Sequence, residues 1–280
     1  MKILIPLVSG FFLSLMNLSN IKMVVSDMDG TLLNSNHEVS PLFLELHEQM
    51  HQRGIRFVAA SGRQYPSMIV KLTEIGEKMS FIAENGALIV ENDEIIHAQE
   101  LPIHTVNEVL NTLESHPEIE PVVCCANQAY TPSKNPKFIQ ILEEYYSSHQ
   151  RISNTEEILH APLKVALYHP ISGEHHIYPA VKGYDKELQV KISGDYWVDL
   201  SHKEANKGVA LQKLLDYYNI DRNEILVFGD YLNDIEMLRM TPNSVAMGNA
   251  HPEIKAMASI VTESHDNFGV ERVLQELLKH

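Results

Sequence analysis

An apolar stretch rich in β-branched residues, Ile21 to Val25, runs straight into Ser26-Asp27-Met28-Asp29-Gly30-Thr31-Leu32-Leu33. The stretch is apolar enough for a strand buried on both faces, which is how strands of parallel sheets read, and Gly30 lets the chain turn away at its end. Asp27 then falls at the strand's carboxyl end, the edge where open α/β sheets place their ligands. Two carboxylates, two residues apart at that edge, can attack a phosphate and handle the proton. As purely local structure, the same residues make an Asp-Gly turn with Asp27 as a helix cap.

Downstream, the chain repeats the pattern. Ser40-Pro41 is a helix cap followed by proline at the first helical position, with Leu42, Leu46 and Met50 at helical spacing and Gly54 after the end. A strand over 55–60, a helix over 66–75 and a strand over 81–83 come next, the last running into Glu84-Asn85-Gly86. Strands alternating with helices imply parallel βαβ units and a sheet covered on both faces. Between Ala87 and Val190 the apolar runs shorten and turn residues (Asn92-Asp93, Ser172-Gly173) separate them, so this stretch reads as an inserted α+β module. From Asn206 the alternation returns, with a helix over 207–218, a strand over 225–228, and further helices and a strand to residue 278. The expected fold is thus α/β, a Rossmann-like parallel-sheet core (21–86 and 191–280) carrying an inserted α+β cap domain (87–190). Hinges are expected around Asn85-Gly86 and around Lys191 to Gly194.

Composition narrows the function. A net charge of −15 with no basic run argues against a nucleic-acid surface, so a small anionic substrate would need a local cation or a metal. Cys124 and Cys125 are the only cysteines and are adjacent, a spacing that seldom reaches disulfide geometry; nothing there requires an oxidising compartment. Residues 1–20 are apolar after Lys2, like a signal peptide, but Pro6 and Gly10 interrupt the run and the core strand begins at once. A misassigned start, with Met16 as the alternative, is the preferred reading and export the other. The expected location is the cytoplasm, with no membrane contact and a monomer or weak homodimer.

Four segments carry polar groups suited to phosphoryl transfer. They are Asp27 with Asp29; Ser61-Gly62-Arg63, where a hydroxyl and free N–H groups follow a strand; Lys207 at a helix start; and Gly229-Asp230-Tyr231-Leu232-Asn233-Asp234 after another strand. Singly, the second is ordinary turn chemistry and the third an ordinary surface lysine.

In this order the four segments resemble the haloacid dehalogenase-like phosphatases. The long insertion after Glu84-Asn85-Gly86-Ala87 resembles the larger α+β cap of the Cof-type branch. The resemblance implies Mg2+ and hydrolysis of small phosphorylated metabolites. In that chemistry Asp27 is the nucleophile, Lys207 neutralises charge, and Asp29 acts as general acid and base. Asp27, Asp230 and Asp234 are expected at the metal, with Asp29 through its backbone carbonyl. Ser61, Gly62 and Asn233 would hold phosphate oxygens while Thr31 supports the loop. A phosphomutase, and a non-enzymatic acidic metal-binding receiver, remain alternatives. No spacing in the insertion translates into a particular leaving group.

Overall fold

The computed structural model describes residues 16, 18–73, 75, 79–146 and 148–279; most of the signal-like segment expected over 1–20 lies outside the described residues. Met16 and Leu18 are buried against the core.

The first apolar run becomes β1 (Met23–Asp27), buried at every position. It leads to α1 (Pro41–Gln52), capped as expected by Ser40, whose hydroxyl accepts from the Phe43 N–H at 3.0 Å. Then come β2 (Arg56–Ala60), α2 (Tyr65–Lys71), β3 (Ser80–Ala83), β4 (Leu88–Glu91) and β5 (Glu94–Ala98). A second group follows: α3 (Ile103–Thr112), β6 (Glu120–Cys125), β7 (Ala129–Thr131), α4 (Pro136–Tyr145), β8 (His149–Arg151), β9 (Pro162–Tyr168), α5 (Tyr178–Val181), β10 (Leu188–Ile192) and β11 (Trp197–His202). The chain closes with α6 (Lys207–Tyr218), β12 (Ile225–Gly229), α7 (Ile235–Leu238), β13 (Ser244–Ala246), α8 (Pro252–Met257), β14 (Ile260–Val261) and α9 (Gly269–Leu277).

Two sheets result. The larger has the order β14-β13-β12-β1-β2-β3-β4-β5, parallel from β14 to β3 and antiparallel across its last two pairs. β1 lies between β12 and β2, with Ser26 opposite Phe228 and Asp27 opposite Ala60. The loops after these three strands therefore leave the sheet side by side, which brings Asp27, Ser61 and Asp230 together. The smaller sheet, β10-β11-β9-β6-β7-β8, is antiparallel except between β7 and β8. One of its faces packs Val165, Leu167, Val198 and Leu200 against α3 and α5; the other packs Ala166, Tyr168 and Trp197 against α4. That second face also carries Lys164 and Asp199.

The boundaries between the two sheets differ from those expected. Residues 88–98 form β4 and β5 in the larger sheet, and residues 191–202 belong to β10 and β11 in the smaller, so the chain passes between sheets at 99–102 and 203–206 rather than at 87 and 190. Asn92 and Asp93 both adopt positive φ and close a tight antiparallel hairpin on the edge of a parallel sheet. That local change of pattern mimics a change of module. The expected hinges fall inside sheets as well: Gly194 lies in the β10–β11 connection, and Gly86 (φ +100) is wedged against the chain entering α6, where a Cβ would lie 2.3 Å from the Asn206 carbonyl oxygen.

Candidate active site

Asp27 ends β1, Lys207 opens α6, and Asp230 and Asp234 follow β12. Lys207 is wholly buried, and its Nζ donates to Asp27 Oδ1 at 2.6 Å and to Asp234 Oδ1 at 2.7 Å. An ammonium out of water needs such partners, and these two provide them. The other Asp234 oxygen, Oδ2, accepts from the N–H groups of Asp230 (2.9 Å) and Tyr231 (3.1 Å), so the turn after β12 is built around this carboxylate. Asp230 Oδ1 accepts from the Thr31 hydroxyl at 3.1 Å, which ties the loop after β1 to the one after β12. Gly30 is required where it is: it has φ +77, and a Cβ there would lie 2.3 Å from Asp230 Oδ2. Asn249 fixes the same loop, its Nδ2 donating to the Gly30 carbonyl at 2.8 Å.

Asp27, Asp230 and Asp234 each offer an oxygen, all within 4.8 Å of one another. Three carboxylates thus face one ammonium. Burial pushes the Asp27 carboxyl well above the usual range; Lys207 opposes the shift, and Asp234 and Asp230 add to it. Burial, with Asp234 beside it, pushes Asp230 up to about 6. Hard oxygen donors carrying excess negative charge suit a divalent cation such as Mg2+, which would favour the ionised forms.

Asp29 lies outside this trio. Its carboxylate takes a bidentate pair from Arg63, Nε to Oδ2 and Nη2 to Oδ1, each at 2.6 Å, and His37 Nδ1 lies 3.3 Å from Oδ1. Burial works to raise this carboxyl, but hydrogen bonding and charge from Arg63, with His37 adding, hold it below its ordinary value. The Asp29 side chain is therefore held by a guanidinium, and the metal role expected of this residue is that of its backbone carbonyl.

Ser61, directly after β2, accepts from the Arg63 N–H on its hydroxyl at 3.1 Å. Asn233 Nδ2 donates to Asn85 Oδ1 at 3.1 Å, and a Cβ on Gly62 would lie 3.0 Å from the Asn85 amide. Asn85, in the turn after β3, joins the second and fourth motifs. Glu84 beside it is fully buried and meets Lys164 from the smaller sheet at 2.8 Å; the same amine reaches Asp199 at 3.0 Å and the Gly62 carbonyl at 3.2 Å. Glu84, Asn85 and Asn249 were not among the expected site residues. The Glu84-Asn85-Gly86 turn at a strand end, and Gly248-Asn249 after β13, are the signals that mark them.

An acid-rich centre at the carboxyl edge of a parallel sheet, with a buried lysine bridging two of its aspartates, is an arrangement suited to phosphate chemistry. The chain belongs to the haloacid dehalogenase-like hydrolases, whose family model matches residues 24–274. It is 32% identical to the 5-amino-6-(5-phospho-D-ribitylamino)uracil phosphatase of Escherichia coli, over 93% of this chain and 97% of that one. A Streptococcus mutans crystal structure superposes with TM-score 0.83 at 26% identity, covering 93% of this chain and 100% of the other. A haloacid dehalogenase-like hydrolase from Bacillus subtilis superposes with TM-score 0.79 at 27% identity, covering 92% and 100%. The chain is a phosphoric monoester hydrolase of this superfamily, and no helix among the described residues is long and apolar enough to cross a membrane.

Proposed function

We propose that the chain hydrolyses phosphate monoesters of small metabolites with Mg2+, through an aspartyl-phosphate formed on Asp27. The observation that carries this reading is the buried Lys207 bridge between Asp27 and Asp234, with Asp230 alongside. It sets an ammonium against the Asp27 carboxyl at the sheet edge, the shielding an anionic nucleophile needs to approach an anionic phosphate.

In the first step an oxygen of Asp27 attacks phosphorus, the bond from phosphorus to the leaving oxygen breaks, and Asp29 gives that oxygen a proton. Water then attacks phosphorus, Asp29 takes the proton back, and the bond to Asp27 breaks, releasing inorganic phosphate. Ser61, the N–H groups at Gly62 and Asn233 hold the non-transferring oxygens, and Lys207 offsets their charge. Mg2+, held by Asp27, Asp230, Asp234 and the Asp29 carbonyl, would supply further positive charge against the phosphate oxygens. Arg63 keeps Asp29 ionised for the second step; in the first, its pair with Asp29 opens so that Asp29 carries the proton it gives to the leaving oxygen. The smaller sheet, with Lys164 clasped to Glu84, serves as the cap that encloses the leaving group. The phosphoribitylamino-uracil used by the Escherichia coli relative is the first substrate to try. We place the enzyme in the cytoplasm, a reading with which its two free, buried cysteines agree, and take it as a monomer or weak homodimer.

Release of inorganic phosphate rather than an isomer separates hydrolysis from mutase chemistry, and any turnover at all excludes a receiver. Excess chelator is expected to silence the enzyme and Mg2+ to restore it. Asp230→Ala should raise the Mg2+ concentration for half-maximal rate by about 10-fold or more; full activity in chelator would refute the metal assignment. For Asp29→Asn the expected loss in kcat is about 10²- to 10⁴-fold. It should be larger for alkyl than for aryl phosphates, because poor leaving groups need the proton more. Equal losses across both would remove Asp29 from the proton path.

A further inference from the structure

Strand β10 is the edge of the smaller sheet, and its register pairs Lys191 with Asp199 and Gln189 with Ser201. Leu188 and Val190 pack into the apolar face against α3 and α5. Alternation therefore sends Gln189 and Lys191 to the opposite side, the one from which Lys164 and Asp199 meet the catalytic module. From that module Glu236, two residues past Asp234, is held in place by Gly208, the neighbour of Lys207: a Cβ on Gly208 would lie 2.7 Å from Glu236 Cβ.

Lys191 Nζ, Gln189 Oε1 and Glu236 Oε2 are all shut off from solvent, and none has a hydrogen-bond partner among the described residues. The charge of Glu236 acts on the Lys191 amine without an ion pair forming, and those of Lys207, Asp234 and Asp199 act on it too. Its own proton is held less tightly than usual, first because of burial. An ammonium and a carboxylate oxygen, both shut off from solvent, close enough for one charge to act on the other and without a hydrogen-bond partner, are costly unless something completes them.

We infer that Lys191 and Glu236, with Gln189 beside Lys191, form the leaving-group subsite and that it takes a hydroxyl-rich chain, making a phosphorylated polyol the substrate class. The inference rests on the phosphatase reading above, which puts the phosphate at Asp27 and Lys207 and sends the rest of the ester toward the smaller sheet. A hydroxyl both accepts from an ammonium and donates to a carboxylate, so one such group completes both residues, and a neighbouring hydroxyl can donate to Gln189. A second anionic group would meet Glu236, and an apolar group would leave all three atoms unpaired.

The test compares ribitol 5-phosphate with phenyl phosphate, using the full chain with Mg2+ and reading kcat and KM separately. Wild type should favour the polyol ester. K191M and E236Q should each raise KM for ribitol 5-phosphate about 10-fold or more, with kcat reduced less, and so lower the preference by a similar factor. K191R should recover part of it. The double variant should lose less than the product of the single losses, because both residues hold one hydroxyl. Equal losses on both esters, or an unchanged preference in E236Q and K191R, would overturn the subsite while leaving the phosphatase reading standing; should K191M fail to fold, these two variants carry the test. A wild-type chain that cleaves neither ester would sink that reading and the subsite with it.

Discussion

Asp27→Asn is expected to lower kcat by about 10⁴-fold or more, the scale seen when a covalent nucleophile is removed from an assembled site. The amide has the carboxylate's shape but cannot attack phosphorus. Its fold should survive, because Lys207 keeps its 2.7 Å bond to Asp234 and the change removes one negative charge from a crowded acidic centre. Phosphate release measured over long incubations checks the rate, and thermal melting checks the fold. A folded variant with more than about 1% of wild-type activity would remove Asp27 from the nucleophile's role.

Sequence made the catalytic half of this molecule legible because its acids follow strands that are apolar enough to recognise. The β1, β2 and β12 runs each end in a short polar motif, and parallel pairing with β1 between the other two leaves those motifs no option but to meet. Lys207 was readable only through its place in that order, since nothing local distinguishes a buried lysine from a surface one. The module boundaries were not readable. β4 and β5 are short and turn-flanked like the strands of the smaller sheet, and only pairing partners, which are long-range, assign them to the larger one. Asn85 and Asn249 were missed for a related reason. Each acts through a contact with a residue distant in sequence, Asn85 with Asn233 and Asn249 with Gly30, and no spacing encodes it. The nearness of Lys191 to Glu236 is of the same kind, set by strand register on one side and a helix start on the other.

Lys207→Met should be the most damaging single change, because it strikes stability and catalysis together. Methionine matches the lysine's length but leaves Asp27 and Asp234 buried without their shared cation, beside Asp230 whose carboxyl is already pushed up to about 6. Removing one partner from a buried ion network costs about 3–5 kcal/mol, which for a chain of this size corresponds to a fall in Tm of about 5–9 °C. Melting in chelator reads that loss directly. Millimolar Mg2+ should recover part of it, since a cation bound only to the folded chain stabilises by mass action and would occupy the same acidic centre. Activity should stay at least about 10³-fold below wild type even with Mg2+, because the ammonium that offsets charge on the phosphate is still missing. A variant that melts with wild type in chelator would show that Lys207 does not hold this centre together. One whose stability ignores Mg2+ would show that the three carboxylates are not where the metal binds.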